Sequence, residues 1–339
     1  MIDDSLNQLL RINPEPYVFF DDAAVHAALT AAPAAYLDHL LESLSAIAGG
    51  DARLELPPKS VFVDPGERSD FRVMPCVVRF PDRVRKTVKI IGTNWPRQIV
   101  AGEISVGKAF ALHSAENFIE AGFAGCILSS ARTGACAVTG LRLLLPNCET
   151  LAIIGAGRVG YYTACYAAAL GTVGRIEFCD RNPDRARLAA EQISRDWPEL
   201  KTGTFKAADL SSQPDGLVLA TDSEQPLFNA KGHRPRLVIS VGADTDWQRE
   251  LDPDVLDHYS VCVDTHDSRH WGDLKRFDAE RRLDDHRILD LGHLLREPSD
   301  RPEPALFIST GSALFDNLTI DYLLTAHWSD SVASVANHR

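Results

Sequence analysis

Hydrophobic spacing changes character along this chain. In AAVHAALTAAPAAYLDHLLESLSAIAGG, residues 23–50, apolar positions recur at intervals of three and four, the repeat of a helix, and Gly49 and Gly50 stop it. KSVFVD, FRVMPCVVRF and KTVKIIGTN are short β-rich runs parted by Pro, Gly and Asp, the pattern of an antiparallel sheet with hairpins. AGFAGCILSSARTGACAVTGLRLLLPN then predicts an Ala-rich helix capped by Ser129 or Ser130, ending before Pro146 and bridging two domains. Beyond it the rhythm is strand, helix, strand: TLAIIGAG, RVGYYTACYAAALG, RIEFCD, PDRARLAAEQISRDW, GLVLAT, RLVISVGA and SVCVDT. Apolar strands alternating with amphipathic helices predict a parallel sheet covered on both faces. ALFISTGSALFDNLTIDYLLTAHW returns to strand, Gly turn and helix, and the polar end SDSVASVANHR reads as frayed. The fold class is thus α/β, a doubly wound parallel sheet domain joined to an α+β domain.

Composition narrows the partners. At 339 residues the chain exceeds one ordinary core of about 100–150 residues, which predicts two domains. Its net charge of −12, with no dense run of Lys and Arg, argues against a nucleic-acid surface and for a small molecule. Seven cysteines, an odd number without a CxxC pair, sit mostly among apolar neighbours, which predicts a reducing cytoplasm without disulfides or structural zinc. No apolar run reaches the ~20 residues of a membrane span, and MIDDSLNQLL has no basic segment leading into an apolar one.

The turn after TLAII carries the first chemistry. Gly155, Gly157 and Gly160 follow an apolar strand and open a helix, with Arg158 and Val159 between the last two; Asp180 closes the next strand, 20 residues after Gly160. That arrangement is the dinucleotide fingerprint. Gly155 makes the tight turn, Gly157 lets a pyrophosphate approach the backbone, and Gly160 lets helix and strand touch. The helix start offers unpaired N–H groups to phosphate. Asp180 suits the ribose hydroxyls and repels a 2′-phosphate, which favours NAD; Arg181 beside it is the counter-signal that keeps NADP open.

A nicotinamide enzyme also needs groups that fix a substrate carbon beside the ring. Lys89 lies between apolar neighbours in TVKIIGTN, where an ammonium calls for an anionic partner such as a substrate carboxylate; the alternative is a lysine on a half-exposed strand. Arg132 is the lone charge in SSARTGACA, and its planar fork suits a carboxylate or, alternatively, an interdomain salt bridge. Lys59 in LPPKSVF is a weaker candidate, with a surface lysine as its alternative. Asp244 follows the apolar strand in ISVGADTD, at the carboxyl end where open α/β sheets bind ligands, and a carboxylate there can order a water or hold a proton for an amine or imine. Helix capping, by Asp244 or Asp246, is the other reading.

With these residues assembled, the chain resembles the ornithine cyclodeaminase and mu-crystallin family. RVMPCVV, VKIIGTN, SSARTGA, IIGAGRVG, VGADTDWQRELD and FISTGSALFDN occur in the family's order and spacing from about residue 17 to 325. The resemblance implies a homodimer in which residues 1–125 and 310–339 form a substrate-binding and dimerisation domain and residues 126–309 a Rossmann domain. It implies that Lys89 is the active-site lysine, that Arg132 binds the substrate carboxylate with Lys59 near a further carboxylate-binding cation, and that Asp244 is the catalytic aspartate. Thr133 and Thr221 fall where members approach the cofactor. Members that cyclise ornithine read Pro-Gly-Lys soon after that aspartate, whereas Thr245, Asp246, Trp247 and Gln248 stand here. The departure points to the branch of NAD(P)-dependent dehydrogenases acting on alanine, iminosuccinate, ketimines or amino-carboxyethyl-glutamate. A redox-neutral cyclodeaminase of ornithine or lysine with bound NAD is the second reading, and a non-catalytic dinucleotide-dependent binding protein of mu-crystallin type is the third.

Overall fold

The computed structural model describes residues 4–11, 15–64, 68–93, 105–206, 214–283 and 287–328. The polar end 329–339 lies outside them. Two sheets organise these residues. The first contains β1 (Val18–Phe20), β2 (Arg53–Glu55), β3 (Ser60–Val63), β4 (Asp70–Arg79), β5 (Val84–Thr93), β6 (Ser105–Leu112) and β7 (Ile119–Ala124), in the order β1-β7-β6-β5-β4-β2, with β3 also paired to β4. Its pairs are antiparallel except β1 with β7. The long β4–β5 ladder sets Met74 opposite Lys89 and Val73 opposite Ile90, so successive residues face opposite sides.

Helix α1 (Asp4–Leu10) precedes this sheet, and the helical repeat of residues 23–50 is two helices, α2 (Asp22–Ala31) and α3 (Pro33–Gly49). Pro33 divides them, because its ring suits a first helical position and no interior one. Gly50 ends α3 in the left-handed region at φ 88°.

The Ala-rich helix α4 (Gly125–Leu144) starts before Ser129 and Ser130, which corrects the expected cap. Residues 121–124 belong to β7, and the chain turns directly from strand into helix. The acceptor for its first turn comes from another helix: the Ile127 N–H donates to Asp22 Oδ1 at 2.8 Å. Ser130 instead donates back to the Cys126 carbonyl from inside the helix.

The second sheet is parallel throughout. Its strands β8 (Thr150–Ile154), β9 (Arg175–Cys179), β10 (Lys201–Thr204), β11 (Gly216–Leu219), β12 (Leu237–Ser240), β13 (Ser260–Val263), β14 (Leu289–Asp290) and β15 (Ala305–Ile308) run in the order β10-β9-β8-β11-β12-β15-β13-β14. The accompanying helices are α5 (Arg158–Ala169), α6 (Pro183–Asp196), α7 (Gly272–Ala279), α8 (Leu291–Arg296) and α9 (Ala313–Ala326). Alternate residues feed two cores: Leu151, Ile153, Val218 and Ile239 enter one, while Ala152, Ile154, Leu219 and Val238 enter the other. This is the expected Rossmann arrangement, and it explains why these strands read as unbroken apolar runs. Helix α9 returns to the first sheet, where Asn317 Nδ2 donates to the carbonyls of Cys76 and Arg85 and to Thr87 Oγ1.

Candidate active site

The glycine turn joins β8 to α5. Gly155 has φ +101°, and a Cβ there would meet the Ala220 carbonyl oxygen at 2.3 Å. A Cβ on Gly160 would meet the Gly155 carbonyl oxygen at 1.9 Å, so helix and strand touch as the fingerprint requires. Gly157, by contrast, would meet nothing within 4 Å. Open space therefore stands over the first N–H groups of α5, and the turn fits a pyrophosphate.

The other cofactor candidates surround this turn. Asp180 follows β9, and its two carboxylate oxygens accept from Ala156 N and Asn182 N, each at 2.8 Å. Both bonds orient the carboxylate at the strand end, where a ribose would lie. The Arg181 side chain is 75% exposed, with its guanidinium 3.3 Å from Asp222. Arg158 Nε donates to Ser130 Oγ at 3.2 Å, linking α5 to α4, and Val159 packs half-buried on the core. Thr133 lies buried on α4, donating to the Ser129 carbonyl. Thr221 follows β11, and its N–H and hydroxyl both donate to Glu250.

The charged candidates converge from separate segments. Lys89 on β5 is 1% exposed, which rules out the half-exposed strand lysine. Its Nζ lies 2.6 Å from Asp316 Oδ2 on α9, and Arg132 Nε on α4 donates to Asp316 Oδ1 at 2.9 Å. Arg132 thus makes a buried salt bridge and still has a donor to spare: its buried Nη1 has no hydrogen-bond partner among the described residues. Gly311, at φ +83°, brings backbone against the same guanidinium, since a Cβ there would lie 3.2 Å from Nη2.

Lys59 is buried too, not a surface lysine. Its Nζ donates to the Thr310 carbonyl at 2.8 Å and sits 4.4 Å from the centre of the Trp271 ring. It lines a cleft of about 230 Å³ with Met74, His266, His270 and Gly311.

Asp244 follows β12 with a third of its side chain exposed, and its Oδ2 accepts from Arg72 Nη1 at 2.7 Å. It caps no helix. Asp246 does not either; it pairs with Lys275 at 2.6 Å. The residues that replace Pro-Gly-Lys pin their own loop, because Gln248 Oε1 accepts from Asp244 N and Thr245 Oγ1.

Burial and neighbours set the ionisation of these groups. Burial, then the Arg132 charge, pulls Lys89 down to about 7, against the upward pull of Asp316. Burial, then Arg72, pulls Lys59 down to about 8. Loss of water opposes ionisation of Asp244, but Arg72 and Lys59 outweigh it and hold the carboxyl below its usual range.

Sequence reasoning missed three members of this constellation. Arg72 spans two carboxylates, with Nε and Nη2 on Asp70 as well as Nη1 on Asp244. On paper Arg72 and Asp70 look like ordinary alternation along a strand. Asp316 had a readable signal, a charge inside the apolar helix ALFDNLTIDYLL, the same signal that marked Arg132. Two further buried carboxylates brace the strand ends from behind: Glu250 accepts from Thr221, Ser240 Oγ and Gly242 N, and Asp264 from Ser268 Oγ and Ser309 Oγ. Burial raises the pKa of both.

Known proteins share this framework. The model of the ornithine cyclodeaminase/mu-crystallin family matches residues 21–324. The L-lysine cyclodeaminase of Streptomyces rapamycinicus is 28% identical over 307 residues, which cover 83% of this chain and 84% of that protein. The structure of Thermococcus litoralis Delta(1)-pyrroline-2-carboxylate reductase with NADH and L-proline superposes with a TM-score of 0.78 at 17% identity, covering 94% of this chain and 98% of that one. The iminosuccinate reductase of Paracoccus denitrificans with NAD+ gives 0.76 at 18% identity, covering 94% and 98%. At such identities the two structures speak for the fold.

Proposed function

The chain belongs to the ornithine cyclodeaminase/mu-crystallin family, and from that premise we propose that it is an NAD(P)-dependent oxidoreductase of amino acids and their imines. Residues 126–309 hold the dinucleotide in this reading, and residues 1–125 and 310–339 hold the substrate together with Arg132 and Asp244 of the other segment. The observation that carries it is an unsatisfied donor of Arg132: a buried guanidinium Nη1 without a hydrogen-bond partner among the described residues, beside Lys89 and against Gly311 of the cleft that Lys59 lines, suits a substrate carboxylate. The open turn at Gly157 and the acceptors of Asp180 suit NAD, and Asp222 draws Arg181 away from the role of a 2′-phosphate clamp.

A bound nicotinamide ring would supply or accept a hydride at its C4 position. The chain supplies the rest. Arg132 and Lys59 hold the carboxylate and fix the α-carbon in place. The Lys89 ammonium, close to neutrality in its titration, hydrogen-bonds the substrate and polarises the C=N bond. Asp244, kept ionised by Arg72, accepts a proton from the amine as the imine forms and returns it in the reverse direction; it also orders a water against an imine carbon.

The likeness to L-lysine cyclodeaminase favours a second reading, in which the same oxidation is followed by attack of a side-chain amine, loss of ammonia and return of the hydride. The two separate in one assay. Absorbance of NADH, and separately NADPH, is followed with a panel of 2-oxo acids and ammonia or amine donors. Consumption by one pair establishes the oxidoreductase; silence across the panel, with cyclic product from lysine or ornithine, establishes the cyclodeaminase.

A second copy of the chain completes the proposal. The outer face of the antiparallel sheet carries an exposed apolar patch beside Lys86 and Lys108: Phe62 stacks on Phe71 at 4.6 Å between ring centres, with Val73, Ile90 and Phe19 on the same side. Such a face matches itself in a homodimer. Ile90→Glu is expected to give a monomer in light scattering, and an unchanged mass would remove this face from the assembly.

A further inference from the structure

One carboxylate in the site touches two of the three cations that the proposed function gives to the substrate, Lys89 and Arg132. Asp316 is 1% exposed, with one oxygen 2.9 Å from Arg132 Nε and the other 2.6 Å from Lys89 Nζ. Arg132 meets it through Nε, its Nη2 donates to Ser129 Oγ at 3.4 Å, and Nη1 has no hydrogen-bond partner among the described residues. We propose that Asp316 is a positioning residue, one that holds Lys89 as an ammonium and turns Nη1 of Arg132 toward the substrate carboxylate.

The helix is built to deliver it. Asp316 lies in the first turn of α9, where the helix dipole favours a negative charge, and Ser312 Oγ accepts from Leu314 N to start that turn. Asn317, next in sequence, ties the helix to β4 and β5 through three hydrogen bonds, while the Asp316 carboxylate is held by Arg132 and Lys89 themselves. Gly311, just before the helix, takes φ +83°, and a Cβ there would crowd the guanidinium at 3.2 Å from Nη2.

The electrostatics have one sign. Lys89 faces Arg132 from α4, Arg72 from β4 and Asp316 from α9, while β6 sets uncharged Ala109 beside it. Two of those charges disfavour the ammonium, burial disfavours it further, and Asp316 is the neighbour that favours it. Without Asp316 the balance at Lys89 moves toward the neutral amine, and Arg132 loses the acceptor that fixes its Nε.

The inference rests on the proposed function for its meaning, so its test includes a reading that needs no turnover. Protein labelled with 13C at lysine Cε, with the Lys89 signal assigned by its loss in Lys89→Met, reports the titration directly by NMR. The parent titrates near 7; in Asp316→Asn the midpoint falls by about one pH unit or more. In kinetics the fall in kcat/KM on the alkaline side moves to lower pH by a similar amount, and KM for the amino or oxo acid rises more than kcat falls. Asn317→Ser is the comparison: it loosens the same helix and lowers the melting temperature while leaving the Lys89 midpoint in place.

A midpoint unchanged or raised in Asp316→Asn overturns the inference. So does an equal shift in Asn317→Ser, which would reduce Asp316 to part of the packing. If the parent protein turns over nothing while the NMR shift follows as stated, the positioning stands and the proposed reaction falls.

Discussion

The glycine turn and the charged cluster are made in opposite ways. The turn is backbone: Gly155, Gly157 and Gly160 act by what they lack, across six consecutive residues. The cluster is side chain: Lys59, Arg72, Lys89, Arg132, Asp244 and Asp316 come from six segments spread over most of the chain, and each depends on another's charge. A local feature fails alone when it is altered, whereas a mutual one fails together.

The largest effect belongs to Asp244→Asn. The side chain keeps its shape and loses its basicity, so turnover falls by roughly 10²–10⁴-fold while cofactor affinity, set at the turn, holds within about twofold. Equal loss of both would mean that the two regions are not independent. Arg132→Ala comes next. It removes the substrate fork and leaves Asp316 with Lys89 alone, and the loss of about two charged hydrogen bonds predicts a fall of roughly 10²–10³-fold in kcat/KM, with NADH still bound by fluorescence titration.

Gly160→Ala strikes the other region. A Cβ cannot share space with the Gly155 carbonyl, so strand and helix must part at a cost of about 1–3 kcal/mol, read in denaturant unfolding together with lost dinucleotide binding. Undiminished NADH affinity in that variant would place the cofactor elsewhere.

The smallest effect is at Lys59. The unfolded chain keeps that proton to about 10.5 and the folded chain only to about 8, so between these values the unfolded state binds more protons and stability rises with pH. Lys59→Met, equal in length and free of charge, is expected to flatten this rise and to be at least as stable as the parent at pH 7, while weakening carboxylate binding by about tenfold or less. A steeper rise in the variant would contradict burial as the cause of the lowered Lys59 pKa.

The same contrast governs what could be read from residues alone. The turn was legible because strand, glycines, helix and Asp180 fall within thirty-one residues, Thr150 to Asp180, and obey local rules. Lys89 and Arg132 were legible because each is a charge in an apolar run. Arg72 and Asp70 were not, since alternating polar residues on a strand ordinarily face water and nothing local says that this face meets α9 and Asp244. In the fold, β6 and β7 escaped notice because SVGKAFAL and IEAGFA are rich in Ala and Gly, poor strand formers held by their neighbours. The start of α4 was misplaced for a related reason: its acceptor is Asp22, 105 residues earlier, and no local capping rule contains it.

The central claim is that a hydride passes between a nicotinamide and the α-carbon of an amino acid. The most direct test supplies NADH carrying deuterium at both C4 positions, with the 2-oxo acid and amine pair that the absorbance panel selects, and locates the label in the product by mass spectrometry and NMR. Deuterium on the α-carbon of the amino acid is the predicted result. A product free of deuterium, or one labelled at any other carbon, would contradict it.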